Sequence, residues 1–551
     1  MTDRVKTRLT ALLVAVVAAL CVLPGIGRVP LFDRDETRFS EAAREMLVGR
    51  DYLVPHFNGE PRLHKPILIY WVMAGSYKVL GVNEFAARLG SALAAVGASV
   101  LVFYLARAMF GLLAGGLGGL AMATTLMLSV EGRAATVDSL QLLIVMLCFM
   151  QLWRIYQGER RWDAYVLLYG GIALGTLTKG PVVVGVVLLA VAGIALMDRS
   201  LALVKRLHLV PGLAASLVPP AIWFLAANHA THGAVWSELI GHQMLGPAFG
   251  ETFEGHSGGS MFFLYYVVLL PATFFPWIAA LPFGAWRTCR APEARKARTF
   301  LVAWAVAPFI MFSFLKTKLP HYTLPGYPAL AIMVGFGLAE AIRDRRAILA
   351  HWTGKLGFGL FALVVGGAAV AFCAYPYLFG LQEQGTHFIS MAVLALAMAG
   401  FALFDLLRRR NGPFLADLAG GATILVLTIW LVVLPPLAGM MQPGAMKKGL
   451  SEVLRPGDQV LSLRYNEPST VFYAGQLLHS TERTPVEFVH DWSDVQKELA
   501  TTHRFVCIAQ ARDVEKMPAE LQGELTEAGR VPAVRLGSGK RVEFVYLRPK
   551  D

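Results

Sequence analysis

Acids and bases in this chain gather in a few short polar stretches between long apolar runs. The first stretch, 27–65, holds Asp33-Arg34-Asp35-Glu36-Thr37-Arg38 and then His56, Asn58, Glu60, Arg62, His64 and Lys65. The second is Glu131-Gly-Arg133-Ala-Ala-Thr136-Val-Asp138. The third, 229–261, carries His229, His232, Glu238, His242, Glu251, Glu254 and His256. The fourth is Lys316-Thr-Lys318-Leu-Pro-His321-Tyr322, and Lys179 sits in a tight turn by itself. Lysine and arginine can hold a phosphate that departs as a leaving group. A carboxylate can orient a sugar or steady positive charge growing at an anomeric carbon. These types together suit glycosyl transfer from a phosphate-bearing lipid. No nucleotide-binding motif is seen, so a sugar delivered on a lipid fits better than one delivered on a nucleotide.

Each cluster has a plainer reading. Lys179 is equally an anchor at a membrane end. Asp35 or Thr37 is placed to cap the helical run 39–47, and acids favour a first turn. The histidines of the third stretch read as loop residues, and the His229/His232 spacing is not HExxH, which argues against a zinc protease. Asp138 is harder to dismiss. An acid opening an apolar span is costly unless it meets water or a partner, and Arg133 on the same turn is a candidate partner.

The elements that must position these groups are membrane helices. The chain has 551 residues, 56% of them hydrophobic and 16% charged, where a soluble domain carries about 25% charged. Apolar runs at 11–23, 112–128, 181–197, 262–281 and 425–434 with flanks point to spans. Thirteen are expected, near 8–26, 86–107, 111–130, 138–156, 163–177, 181–197, 208–228, 262–284, 299–315, 322–342, 353–377, 387–407 and 416–436. The net charge of +12 sits mostly in loops between spans, where the positive-inside rule places it, rather than in a nucleic-acid surface. Fixing those basic loops in the cytoplasm puts Asp138 and the whole of 27–85 outside. The stretch 66–82 is then a juxtamembrane or re-entrant helix rather than a crossing. The N-terminus resembles a signal peptide but lacks a small-residue cleavage site, so it reads as an uncleaved first span. No two of the five cysteines are placed for a structural disulfide. The chain is expected to divide into a membrane domain, 1–440, and an outer α/β domain, 441–551, with candidate strands at 459–465, 503–509 and 541–547 and a helix at 494–501.

The motifs resemble a known family. Asp35-Glu36-Thr37-Arg38-Phe-Ser-Glu41-Ala-Ala-Arg44-Glu45-Met46-Leu47, Asp51-Tyr-Leu-Val-Pro55 and Leu63-His64-Lys65-Pro66 look like the first outer loop of bacterial aminoarabinose transferases. These are lipid A modifying enzymes of the C-type glycosyltransferases, related to protein O-mannosyltransferases. Phe85-Ala-Ala-Arg88, Arg133 with Asp138, Lys179-Gly-Pro and Lys318-Leu-Pro-His321-Tyr322 fit the wider family. The resemblance implies thirteen spans, juxtamembrane helices and a soluble outer domain, in a bacterial inner-membrane protein working on its periplasmic side. It implies Asp35 as the main catalytic or acceptor-orienting acid and Asp138 as the second acid. Arg38 and Lys65 would bind the lipid phosphate, and Tyr70, Arg133, Lys179, Lys318, His321 and Tyr322 would complete the binding wall. The donor would be an undecaprenyl-phosphate-linked sugar, and the favoured acceptor is lipid A phosphate. A protein or glycan hydroxyl is the alternative acceptor. No cofactor is expected for catalysis. One departure is His64, which stands where the family usually has glutamate. His64 could still join His242 or His256 in a structural zinc site. A transporter or flippase is the rival reading. It would carry acids in mid-span, and none lies near the middle of the second to ninth spans.

Overall fold

The computed structural model describes residues 2–32, 34–246, 264–315, 317–344, 347–378, 381–480, 483–502, 504–535 and 539–550. Each of the thirteen expected spans falls on a helix or on a pair of helices. Among the described residues nine helices are long and apolar enough to cross a membrane: Asp3–Val22, Glu84–Phe110, Asp138–Tyr156, Leu209–Ala230, Pro292–Ser313, Pro320–Arg343, Trp352–Leu378, Gln382–Leu407 and Asn411–Met440. The helix expected not to cross, Leu68–Leu80, has 13 residues. At about 1.5 Å per residue it spans about 20 Å, short of a hydrocarbon core of about 30 Å.

Two expected spans are interrupted. The run 111–130 forms Leu112–Ala123 and Leu126–Glu131, and 262–284 forms Leu264–Thr273 and Leu281–Arg290 around a short 3-10 turn. An interruption inside a membrane exposes backbone groups that need partners. Here the two breaks supply each other. The Leu126 amide donates to the Phe275 carbonyl at 2.9 Å, and the Trp277 indole donates to the Thr124 hydroxyl at 2.9 Å. Beside them, Leu112–Ala123 packs closely on Tyr327–Arg343. A Cβ on Gly335 would sit 2.5 Å from the Ala114 carbonyl oxygen, so only glycine permits this approach.

By its contacts the chain forms two compact units. The first comprises Met1–Pro24, Leu63–Leu68 and Ser91–Ile429 and holds most of the membrane helices. The second comprises Gly25–Arg62, Ile69–Gly90 and Trp430–Asp551. These units divide the chain differently from the expected boundary at 440, because most of the first outer loop packs with the C-terminal residues. The reason is polar pairing. The Leu31 amide donates to the Tyr473 hydroxyl at 2.8 Å, Arg44 to the Ser480 carbonyl at 2.9 Å, and Gln476 to the Val82 carbonyl at 3.0 Å. Asn58 clamps a strand edge through the Val486 carbonyl at 2.8 Å, and Lys447 pairs with Glu84.

The second unit contains a small hairpin of β1 (His56–Phe57) and β2 (Glu60–Pro61), and a five-stranded sheet. The sheet is built from β3 (Gln459–Leu463), β4 (Val486–Val489), β5 (Phe505–Gln510), β6 (Leu525–Val534) and β7 (Arg541–Pro549), in the order β4-β3-β5-β7-β6. β3 runs parallel to β4 and β5, and β7 runs antiparallel to β5 and β6. Three strands were expected where five form. The two not expected are the edges, the short β4 and the β6 strand that carries Pro532. Proline is tolerated at an edge because no ladder bond is lost there. Helix Trp492–Thr501 packs Trp492, Val495 and Leu499 onto the sheet core. Asp491 caps that helix by accepting from the Ser493 and Asp494 amides.

Candidate active site

In the first unit, two antiparallel helices bring opposite charges to one end. Asp138 opens Asp138–Tyr156 and Lys179 closes Trp162–Lys179. An acid at a helix N-terminus and a base at a C-terminus both complement the helix dipole. The connection between the helices is only five residues, 157–161, so these two ends return to the same level. Gly180, at φ 68°, terminates the second helix in a conformation that glycine adopts freely. The Lys179 ammonium donates to Asp138 Oδ1 at 2.5 Å, with both side chains 12% exposed. Its Nζ also stands 5.0 Å from the centre of the Tyr322 ring.

The segment after the span ending at Ser313 adds the remaining groups. Leu319 is extended ahead of Pro320, which begins the 3-10 turn Pro320–Gly326. That turn carries His321 and Tyr322. His321 Nδ1 lies 3.4 Å from Oε1 of Glu131, and its Nε2 lies 3.8 Å from Oδ2 of Asp138. Tyr322 stacks 4.9 Å from Phe312. Lys65 lies close enough for its charge to act on Asp138. The Lys318 ammonium donates to the Leu315 carbonyl at 2.7 Å. The structure thus gathers Lys65, Asp138, Lys179, His321 and Tyr322, and adds Glu131, which no role was assigned from sequence. Glu131 is a buried acid in the same turn as Asp138, and the cost argument that singled out Asp138 applies to it equally.

Arg133 departs from its expected place. Its Nε donates to the Cys21 carbonyl and its Nη1 to the Pro24 carbonyl, each at 2.7 Å. The side chain is fully buried and caps the end of the first helix. Asp138 takes its cation from Lys179 instead.

The second unit holds the other expected group. Asp35 begins helix Asp35–Val48 and is exposed, while Arg38, one turn on, is half-buried. The capping reading of Asp35 does not hold, because the N-cap position is Arg34, whose side chain makes no capping hydrogen bond. Glu36 instead accepts from the Phe32 amide at 2.8 Å. Tyr70 is buried beside Asp35, Arg62 and Phe39, with the Phe39 ring 5.6 Å away. Burial lifts the Tyr70 phenol above its ordinary pKa, and Arg62 works against that rise. The rest of the acid-rich motif is spent on structure. Arg88 binds both Glu36 oxygens at 2.8 Å and also the carbonyls of Ile26, Val29 and Pro30. Arg44 binds both Glu41 oxygens at 2.8 and 2.9 Å. Glu45 accepts from the Asn58 and Gly59 amides, and burial followed by the Glu41 charge pushes its carboxyl up to about 8.

For zinc, His64 and His242 are both exposed, and His256 lies outside the described residues. Among the described residues no group of three His, Cys, Asp or Glu side chains is placed to hold a metal ion.

Known proteins are similar to this chain in sequence and in fold. Residues 64–224 match the family described as dolichyl-phosphate-mannose-protein mannosyltransferase. An undecaprenyl phosphate-alpha-4-amino-4-deoxy-L-arabinose arabinosyl transferase of Pectobacterium carotovorum is 30% identical over 441 residues, 76% of each chain. One of the same name from Serratia proteamaculans is 30% identical over 417 residues, covering 73% of this chain and 72% of the relative. The fold matches the crystal structure of ArnT from Cupriavidus metallidurans bound to undecaprenyl phosphate, with a TM-score of 0.75, 21% identity and 97% of both chains covered. The chain therefore belongs to the family of undecaprenyl phosphate-alpha-4-amino-4-deoxy-L-arabinose arabinosyl transferases, multi-pass membrane glycosyltransferases.

Proposed function

We propose that this protein transfers 4-amino-4-deoxy-L-arabinose from undecaprenyl phosphate to a lipid A phosphate on the periplasmic side of the bacterial inner membrane. The observation that carries the proposal is the Asp138–Lys179 pair at adjoining helix ends, with His321, Tyr322 and Lys65 around it. Such a site supplies what the reaction needs. Among the described residues Lys179 spends one of its three N–H donors, on Asp138. The others are available to oxygens of the lipid phosphate, and Lys65 adds a second positive charge. As the anomeric C–O bond to the donor phosphate breaks, negative charge collects on the departing phosphate and positive charge on the sugar. The lysines offset the first and Asp138 the second. A phosphate acceptor is already ionised and needs no base, so the part assigned to Asp35 is to orient an acceptor rather than to remove a proton. Lys318, three residues before His321 in the chain, brings a further positive charge to the phosphate-binding wall. Arg133 supports the site by fixing the end of the first helix. Most of the first outer loop faces the periplasm together with the C-terminal sheet.

The test is transfer by the purified chain from undecaprenyl-phosphate aminoarabinose to lipid A in detergent, without a membrane gradient. Asp35→Asn and Asp138→Asn are expected to abolish transfer at normal expression. Mass spectrometry of lipid A from cells with and without the gene should differ by one aminopentose. Full activity of Asp35→Asn would remove that residue from the mechanism. Turnover of the donor with unchanged lipid A would move the acceptor to a protein or glycan hydroxyl.

A further inference from the structure

His321 stands between two acids that come from different elements. Glu131 ends helix Leu126–Glu131, Asp138 opens Asp138–Tyr156, and His321 lies in the turn Pro320–Gly326. One ring nitrogen faces each carboxylate, at 3.4 and 3.8 Å. Glu131 is itself fixed from behind. Its Oε2 accepts from the Thr136 hydroxyl at 3.2 Å, and the Thr136 carbonyl accepts from the Ser91 hydroxyl at 3.1 Å. Lys179 closes the far end of the row on Asp138 Oδ1. The order is therefore Glu131, His321, Asp138, Lys179, with Lys65 acting on Asp138 from the side.

Two features set this row apart from a packing contact. The acid farthest from Lys179 meets the imidazole through a carboxylate that the chain already holds in place. An imidazole whose one nitrogen is bound presents a defined tautomer or a proton at the other. We infer that Glu131 and His321 are positioning residues for the transfer, holding the orientation and charge of the Asp138 carboxylate through the imidazole between them. This departs from the phosphate-binding role first expected of His321, whose nitrogens point to carboxylates. The inference rests on the proposed transfer reaction and on the part Asp138 plays in it.

The experiment uses the full-length protein, undecaprenyl-phosphate aminoarabinose and lipid A. Glu131→Gln keeps the shape of the side chain and an oxygen for Thr136. Glu131→Gln and His321→Gln are each expected to lower kcat about tenfold or more, with the KM for the donor changed less than about twofold. Because Glu131 acts only through His321, the double variant should be no slower than His321→Gln alone. The pH profile of kcat should lose a limb in His321→Gln and show that limb displaced in Glu131→Gln. Glu131→Asp should restore part of the rate. Wild-type kcat in Glu131→Gln, additive losses in the double variant or an unchanged pH profile would each overturn the inference. Should Glu131→Gln lower the thermal midpoint, the pH profile of its folded fraction decides, since a structural role leaves that profile in place. A wild-type protein without turnover would count against the transferase reading. A dead Asp138→Asn beside an unaffected Glu131→Gln would count against the positioning role alone.

Discussion

Arg88 and Lys179 are both cations paired with a carboxylate inside the protein, one in each unit. Arg88 uses all five of its N–H donors, on two Glu36 oxygens and three backbone carbonyls, and is fully buried. Lys179 uses one among the described residues, on a carboxylate that is itself 12% exposed beside a histidine and a tyrosine. The first arrangement is saturated and has no capacity left for a substrate. The second has donors to spare and a neighbourhood that solvent reaches. Two motifs that resemble each other as strings of charge therefore divide between architecture and chemistry. Among the charged residues of helix Asp35–Val48, Asp35 is exposed and Arg38 half-buried, while Glu36, Glu41, Arg44 and Glu45 are buried.

The comparison can be broken at several points. Asp138→Asn should lower the transfer rate by about 100-fold or more and leave the thermal midpoint near wild type. An equal loss of stability would make the pair structural after all. Glu36→Gln should do the reverse. It leaves Arg88 charged and buried with half of its partner, a loss of about 3 kcal/mol or more. Circular dichroism on heating should show the drop, with transfer per folded molecule retained. Lys179→Met should raise the KM for the lipid donor about tenfold, and Lys179→Arg should recover part of that, as titration with the donor would reveal.

The smallest effect concerns Glu45. Its carboxyl is raised in the folded protein from 4.5 to about 8. Between those values the folded state holds a proton that the unfolded state has released. Stability from this group is full below the lower value and is lost as pH rises through the upper one. Glu45→Gln should therefore gain in thermal midpoint over wild type at about pH 8 relative to about pH 5. A midpoint difference that does not change with pH would show that Glu45 stays ionised in the fold.

Much of this was legible in the sequence where the signal is local. Apolar runs located the helices, and β-rich runs located the three inner strands of the sheet. Asp138 was found because an acid opening an apolar span needs a reason. What escaped depends on distant chain. Arg133 seemed to belong to Asp138 by nearness in sequence, but the carbonyls of Cys21 and Pro24 claim it. Nothing near Asn58 announces that it will bind Val486, so the union of the outer loop with the C-terminal sheet was invisible. Nothing in its own turn marks Glu131 out, because its partner, His321, lies 190 residues away in the chain. The edge strand β6 was hidden by Pro532 and by the run of exposed residues Thr526, Glu527 and Ala528, which breaks the two-residue alternation.

The division between architecture and chemistry is tested most directly by measuring transfer rate and thermal midpoint together for Asp138→Asn and Glu36→Gln. The expected result is a stable, inactive Asp138→Asn and a destabilised Glu36→Gln that still transfers sugar while folded. An Asp138→Asn protein that transfers at the wild-type rate would contradict the assignment of chemistry to the Asp138–Lys179 cluster.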